Sequence, residues 1–160
     1  MLTIDRYVKA QSLKEAYELC QKRNNVVLGG MLWLKMSNRN MQTAIDLSGL
    51  GLDKIEEQED AFSIGCMCTL RQLEIHEALN RYFGGAMKAC TRHIVGTQFR
   101  NGATVGGSIF GRFGFSDILT CLLALDTYVE LYHAGVIALS EFVEMPRDND
   151  ILVRIIIKKD

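Results

Sequence analysis

Apolar positions switch between helical and alternating spacing along this chain, and each switch marks an element. Ser12-Leu-Lys-Glu15 places a hydroxyl three residues before a carboxylate, ahead of Leu13, Ala16, Leu19 and Cys20 at helical spacing. That pattern predicts a capped helix over residues 12–23. Asn25-Val-Val-Leu28 is a short apolar run ending in Gly29-Gly30, and Thr43-Ala-Ile-Asp-Leu47 is a second such run. Strands on either side of a helix predict one small α/β unit within residues 1–51.

Beyond it, Leu52 to Gln58 and Ala61 to Cys66 read as strands joined at Glu59-Asp60, a hairpin. Thr69 caps helical territory that continues loosely to His93 and is interrupted at Gly84-Gly85. A glycine-rich stretch, Gly102-Ala-Thr-Val-Gly-Gly-Ser108, follows as a loop. Ser116-Asp117 caps Ile118 to Leu125, with Asp117 the simplest capping side chain. Thr127 to Tyr132 alternates as a strand does, Ala134-Gly135 turns, and Ile151 to Ile157 closes the pattern. The fold class is α+β, divided into a small α/β subdomain (1–51) and a larger α+β subdomain (52–160).

With 160 residues, 48% of them hydrophobic, the chain can bury a core without disulfides. Its 18 basic and 19 acidic residues nearly cancel, which removes the positive surplus that draws nucleic acid or an anionic membrane. Neither partner is expected. The first residues lack a charged segment followed by an apolar run, so the expectation is a cytoplasmic protein whose five cysteines are reduced.

Candidate chemistry is concentrated at two glycine pairs, Gly29-Gly30 and Gly106-Gly107. Glycine permits close approach and positive φ, so successive N–H groups can converge on a diphosphate, although ordinary tight turns use the same residues. The spacing is not that of a Rossmann G-x-G-x-x-G, and Gly102 to Ser108 lacks the lysine of an ATP-binding P-loop. Trp33 packs either in the core or against a ligand ring. Arg100 and Arg112 flank the second pair, where arginines reach phosphate or form surface ion pairs. Cys66-Met-Cys68 falls short of a metal site, and His76, His93 and His133 are scattered without a nucleophile motif.

In order, Val27-Leu-Gly-Gly30, Ile45-Asp-Leu47, Phe62-Ser-Ile-Gly65, Gln98-Phe-Arg-Asn-Gly-Ala-Thr-Val-Gly-Gly107, Ser116-Asp117, Leu122-Leu-Ala-Leu125 and Asp150-Ile-Leu152 run along the chain. This series resembles the FAD-binding domain of molybdenum hydroxylases, the group that includes xanthine dehydrogenase and the medium subunit of carbon monoxide dehydrogenase. The resemblance implies a two-subdomain FAD-binding fold of the vanillyl-alcohol-oxidase/xanthine-dehydrogenase type, with FAD across the seam. It implies a first loop of Leu28, Gly29, Gly30, Met31, Leu32 and Trp33, and a second of Thr104, Val105, Gly106, Gly107 and Ser108. Asp117 falls where the family's aspartate meets adenosine, Ile94 where an aromatic side chain is often seen, and Leu152 where an aliphatic residue approaches the flavin.

The implied role is electron relay, from iron–sulfur clusters of a partner subunit, fed by a molybdenum-cofactor subunit, to NAD or another acceptor. Three departures stand against the family pattern. Met31 and Leu32 replace a hydroxyl and an acid, Ser108 replaces asparagine, and the usual C-terminal domain is not part of this sequence. Two other functions stay open: a non-catalytic assembly module that keeps the fold but binds flavin poorly, and a flavin oxidase of the wider vanillyl-alcohol-oxidase type acting alone.

Overall fold

The computed structural model describes residues 1–160. The helix expected near the start, α1, spans Leu13–Cys20, and Ser12 Oγ accepts the Glu15 N–H at 3.1 Å. Glu15 reaches back one residue further than a reciprocal capping box requires, accepting from the Gln11 N–H at 2.7 Å. The helix stops short of residue 23 because the chain turns back at Asn24, whose φ is 63°. Such a left-handed residue cannot continue an α-helix.

The first sheet has three strands, β1 (Thr3–Lys9), β2 (Asn25–Leu28) and β3 (Asn40–Asp46), in the order β1-β3-β2. All pairings are parallel, with Val27 opposite Ile45 and Ile4 opposite Met41. Parallel neighbours need crossovers, which α1 and the stretch after β2 supply. The pattern of apolar residues did not disclose β1. Every one of its residues except the half-buried Val8 is exposed, so no alternation is imposed on its sequence.

The second sheet is antiparallel throughout. It runs β4 (Ile55–Glu57), β5 (Ala61–Gly65), β8 (Leu152–Lys158), β6 (Thr127–Leu131), β7 (Gly135–Ala138) in spatial order. The hairpin at Glu59-Asp60 forms β4 and β5, and β5 is buried along its whole length. Strand β7, which the apolar pattern does not mark, pairs with β6 across the Ala134-Gly135 turn.

Short helices cover this sheet: α2 (Leu70–Ile75), α3 (Glu77–Tyr82), α4 (Ala86–Thr91), α5 (Thr97–Gly102), α6 (Val105–Phe110), α7 (Asp117–Leu123) and α8 (Leu139–Glu144). The loose helical stretch to His93 breaks at Gly84 and Gly85, both at positive φ, and a second time at His76. His76 ends α2 and caps α3, its Nδ1 accepting from the Leu79 N–H at 3.2 Å. Thr69 caps α2 in a full capping box with Gln72. No helix is long and apolar enough to cross a membrane.

One core joins the two sheets. It runs from Ala16, Ile45 and Leu47 beneath α1, through Phe62 and Leu73, to Ile109, Leu122 and Ile155. Each large side chain buried there contributes about 1.5–3 kcal/mol by leaving water, so the small sheet is anchored to the larger by packing as well as by chain continuity.

Candidate functional site

Strand β2 ends at Leu28, paired with Asp46, and the chain leaves the sheet at Gly29 and Gly30. A Cβ added to Gly29 would stand 2.8 Å from Thr104 Oγ1 and 3.5 Å from the Gly107 Cα. One on Gly30 would collide with the Gly102 carbonyl, and the Leu32 side chain lies 3.5 Å from where a Gly102 Cβ would be. The two glycine segments are therefore in direct contact, and the glycines of the first loop are there to permit it.

Neither Gly29 nor Gly30 has positive φ, contrary to the expectation that the glycine pairs would supply it. Met31 takes that conformation, at φ 61°. None of the N–H groups of Gly29, Gly30, Met31, Leu32 and Trp33 donates to a main-chain carbonyl. Successive unpaired N–H groups around a left-handed residue form a concave donor row, a nest suited to anionic oxygens. The first loop thus presents its main-chain donors, and Met31 and Leu32 add no polar side chain to them.

The second segment is not an open loop. Thr104 is bridged to Thr69 and caps α6, its Oγ1 accepting the Gly107 N–H at 3.2 Å. Val105 donates to the Cys68 carbonyl at 2.8 Å and Gly106 to the Cys66 carbonyl at 2.9 Å. Ser108 gives both its N–H and its hydroxyl to the Thr104 carbonyl. Its leading N–H groups are consumed by protein acceptors, so this segment shapes the cradle rather than donating main-chain hydrogen bonds into it. Gly106 is needed because a Cβ would meet the Cys66 carbonyl oxygen at 2.6 Å, whereas Gly107 faces solvent.

Of the other candidate residues, Ile94 is half-buried and Asp117 exposed. The cap of α7 is Ser116, whose Oγ accepts from Leu119, and Asp117 is the first helical residue with its carboxylate at the surface. Leu28, Thr104, Val105 and Leu152 are buried, Leu152 at the head of the central strand β8. What reaches solvent around the contact is the row from Gly29 to Trp33, with Gly107 and Ser108 opposite.

Both arginines have structural duties that sequence reasoning did not foresee. Arg100 is buried and donates to Glu74 Oε2 at 2.8 Å, to the Ile94 carbonyl at 3.1 Å and to Thr97 Oγ1 at 3.3 Å. It is neither a phosphate contact nor a surface partner, but a tie between α2, the Ile94 segment and α5. Its hydrogen bond and charge, reinforced by Arg71, hold the Glu74 carboxyl below its ordinary range against the opposing effect of burial. Arg112, with φ 49°, lies 4.0 Å over the Phe142 ring, and burial lowers its pKa.

Trp33 is not a core residue. It is 58% exposed, with its ring edge-on to Phe99 at 5.9 Å and to Phe115 at 6.3 Å. Nothing in the spacing of the sequence brings these rings together, because the cluster forms only when the two glycine segments dock. Cys66 and Cys68 are buried thiols, pushed up to about 12 and about 11 chiefly by burial. His133 stacks on Tyr17 at 5.5 Å, and His93 accepts from Arg92.

Two docked glycine segments thus stand between a parallel and an antiparallel sheet, with a row of unpaired main-chain donors on one side. The comparisons with known proteins identify the class. The family model for the FAD binding domain in molybdopterin dehydrogenase matches residues 2–159, and the chain belongs to that family, whose cofactor is FAD. It is 31% identical over 132 residues to the nicotine 6-hydroxylase medium subunit of Paenarthrobacter nicotinovorans, covering 79% of this chain and 46% of that protein. It is 27% identical over 159 residues to the uncharacterised protein YgfM of Escherichia coli K12, covering 97% of this chain and 60% of that one. The structure of reconstituted CO dehydrogenase from Oligotropha carboxidovorans matches in fold, with a TM-score of 0.85 at 21% identity over 99% of this chain and 60% of that one. The chain thus spans about half to three-fifths of the relatives it matches.

Proposed function

We propose that this chain is the FAD-binding part of a molybdenum-hydroxylase-type oxidoreductase. In this role it receives electrons from iron–sulfur clusters on a partner subunit, itself served by a molybdenum-cofactor subunit, and delivers them to NAD or another acceptor. The observation that carries the reading is the row of unpaired N–H groups from Gly29 to Trp33 beside Gly107. Successive main-chain donors that no protein carbonyl uses and that reach solvent at the contact are free to converge on anionic oxygens.

The bound flavin supplies the redox chemistry; the protein supplies position and surroundings. Gly29, Gly30, Met31 and Leu32 hold the diphosphate by main-chain donors, and Gly107 and Ser108 close the opposite side. By the family's pattern Asp117 would meet the adenosine portion, Ile94 would stand at the position often held by an aromatic side chain and Leu152 would approach the flavin, while Thr104, Val105 and Gly106 fix the second segment. The Arg100–Glu74 pair keeps the Ile94 segment in register with α5.

The test is a titration of the purified chain with FAD, followed by flavin absorbance and thermal unfolding. Ligand at a hundred times its Kd stabilises the folded state by about 2.7 kcal/mol, so the melting temperature rises with FAD. A colourless protein whose melting temperature ignores FAD would instead favour the assembly module. Reduction of the bound flavin by NADH identifies the acceptor side of the relay.

A further inference from the structure

Trp33 belongs to a group of aromatic rings spread over three separate segments. Trp33 follows the donor row, Phe99 lies in α5, and Phe113 and Phe115 lie between α6 and α7. Phe113 and Phe115 stack with centroids 5.2 Å apart and planes 14° apart, and Trp33 meets both Phe99 and Phe115 edge-on. Trp33 is 58% exposed and Phe115 70%. Rings of this size ordinarily bury most of their surface, and a local cluster of them at the surface marks a binding site.

Its location says what it binds. Trp33 is three residues from Gly30, a reach of about 10 Å even when fully extended. A ring linked to a diphosphate on the donor row therefore falls within range of these aromatic faces. The side chains of Met31 and Leu32 are apolar, so apart from its main chain the first loop offers the rest of a ligand apolar contact.

We propose that Trp33 and Phe115, backed by Phe99 and Phe113, form an aromatic wall that stacks against one of the two planar heterocycles of FAD. The inference rests on the FAD reading of the donor row. The occupant is a heteroaromatic ring joined to a diphosphate, and the isoalloxazine and the adenine share that chemistry.

The experiment is calorimetric titration of the wild type, Trp33→Leu and Phe115→Leu with FAD, FMN and ADP. Loss of a ring-on-ring stack weakens FAD about tenfold or more in either variant. The same loss is expected with one fragment and not with the other, and the fragment affected names the ring. Trp33→Phe keeps a face for stacking and recovers most of the affinity. Ligand-free melting curves serve as the folding control, and Phe115 is exposed enough that its replacement leaves the core untouched. Unchanged FAD affinity in both leucine variants overturns the wall, as does equal weakening of both fragments, which would mean general loosening. A wild type that binds no FAD at all overturns the donor-row reading instead.

Discussion

Gly30 and Gly102 meet backbone to backbone: a Cβ on Gly30 would fall within the shell of the Gly102 carbonyl oxygen. Because that oxygen belongs to the main chain, no rotamer change can relieve the clash. Gly30→Ala should force the segments apart and destabilise the protein by about 1–3 kcal/mol, the usual cost of overpacking. Thermal unfolding checks it, and a chain of this size loses about 2–4 °C per kcal/mol. FAD affinity should fall in parallel; an unshifted melting curve would contradict the contact.

Gly106 and Gly107 are adjacent yet predict opposite phenotypes. A Cβ at Gly106 meets the Cys66 carbonyl oxygen at 2.6 Å, while one at Gly107 meets only Thr104 Oγ1, at 3.0 Å. Gly107→Val should keep the circular dichroism spectrum and abolish FAD binding by filling the cradle. Gly106→Val should reduce soluble yield whether or not FAD is added. Retained FAD affinity in the Gly107 variant would remove the second segment from the site.

The buried Arg100–Glu74 pair predicts a pH effect with a definite sign. Glu74 is held below its ordinary pKa of 4.5, first by the Arg100 hydrogen bond. Stability from the ionised carboxylate is thus fully present above that value and is lost as the pH falls through the lower folded-state value. Replacing Arg100 by Met leaves the carboxylate with Arg71 as its only cationic partner, and should cost at neutral pH less than the ~3–5 kcal/mol of a fully unpaired buried charge. In Glu74→Gln the acid limb of the stability curve should flatten; an unchanged limb from pH 5 to pH 3, measured by urea unfolding, would place the titration elsewhere.

Thiol reactivity should divide the cysteines. Burial raises Cys66 to about 12 and Cys68 to about 11, so neither forms appreciable thiolate in the folded protein near neutral pH. Cys90 and Cys121 interact, Cys90 being raised by Cys121 and Cys121 lowered by the hydrogen bond from Cys90. Iodoacetamide at pH 7.5 should label Cys121 first, with Cys66 and Cys68 modified only after unfolding. Mass spectrometry of tryptic peptides distinguishes the sites.

Much of the architecture was legible in the sequence because burial had written it there. Ser12 and Ser116 announced two helix starts, and the apolar runs of β5, β6 and β8 announced the larger sheet. Strand β1 was invisible because its side chains face solvent, and α8 because a single pair of inward residues, Leu139 and Phe142, gives too little periodicity. The glycine pairs mark where the two segments meet, but for an incomplete reason. They allow close approach, but Met31 supplies the left-handed turn, and no pattern marks a methionine for that conformation. The Arg100–Glu74 tie and the rings around Trp33 depend on contacts between distant segments, which spacing along a chain cannot encode.

The central strand of the larger sheet, β8, comes last in chain order: residues 61–65 must wait for residues 154–158 before their second edge is covered. During synthesis on the ribosome, the hairpin and helices that emerge first have a hydrophobic strand edge with no lasting neighbour. Closure is a long-range event, and long-range pairing is slow. The interval before β8 arrives is when this polypeptide is most vulnerable to aggregation and most dependent on chaperones.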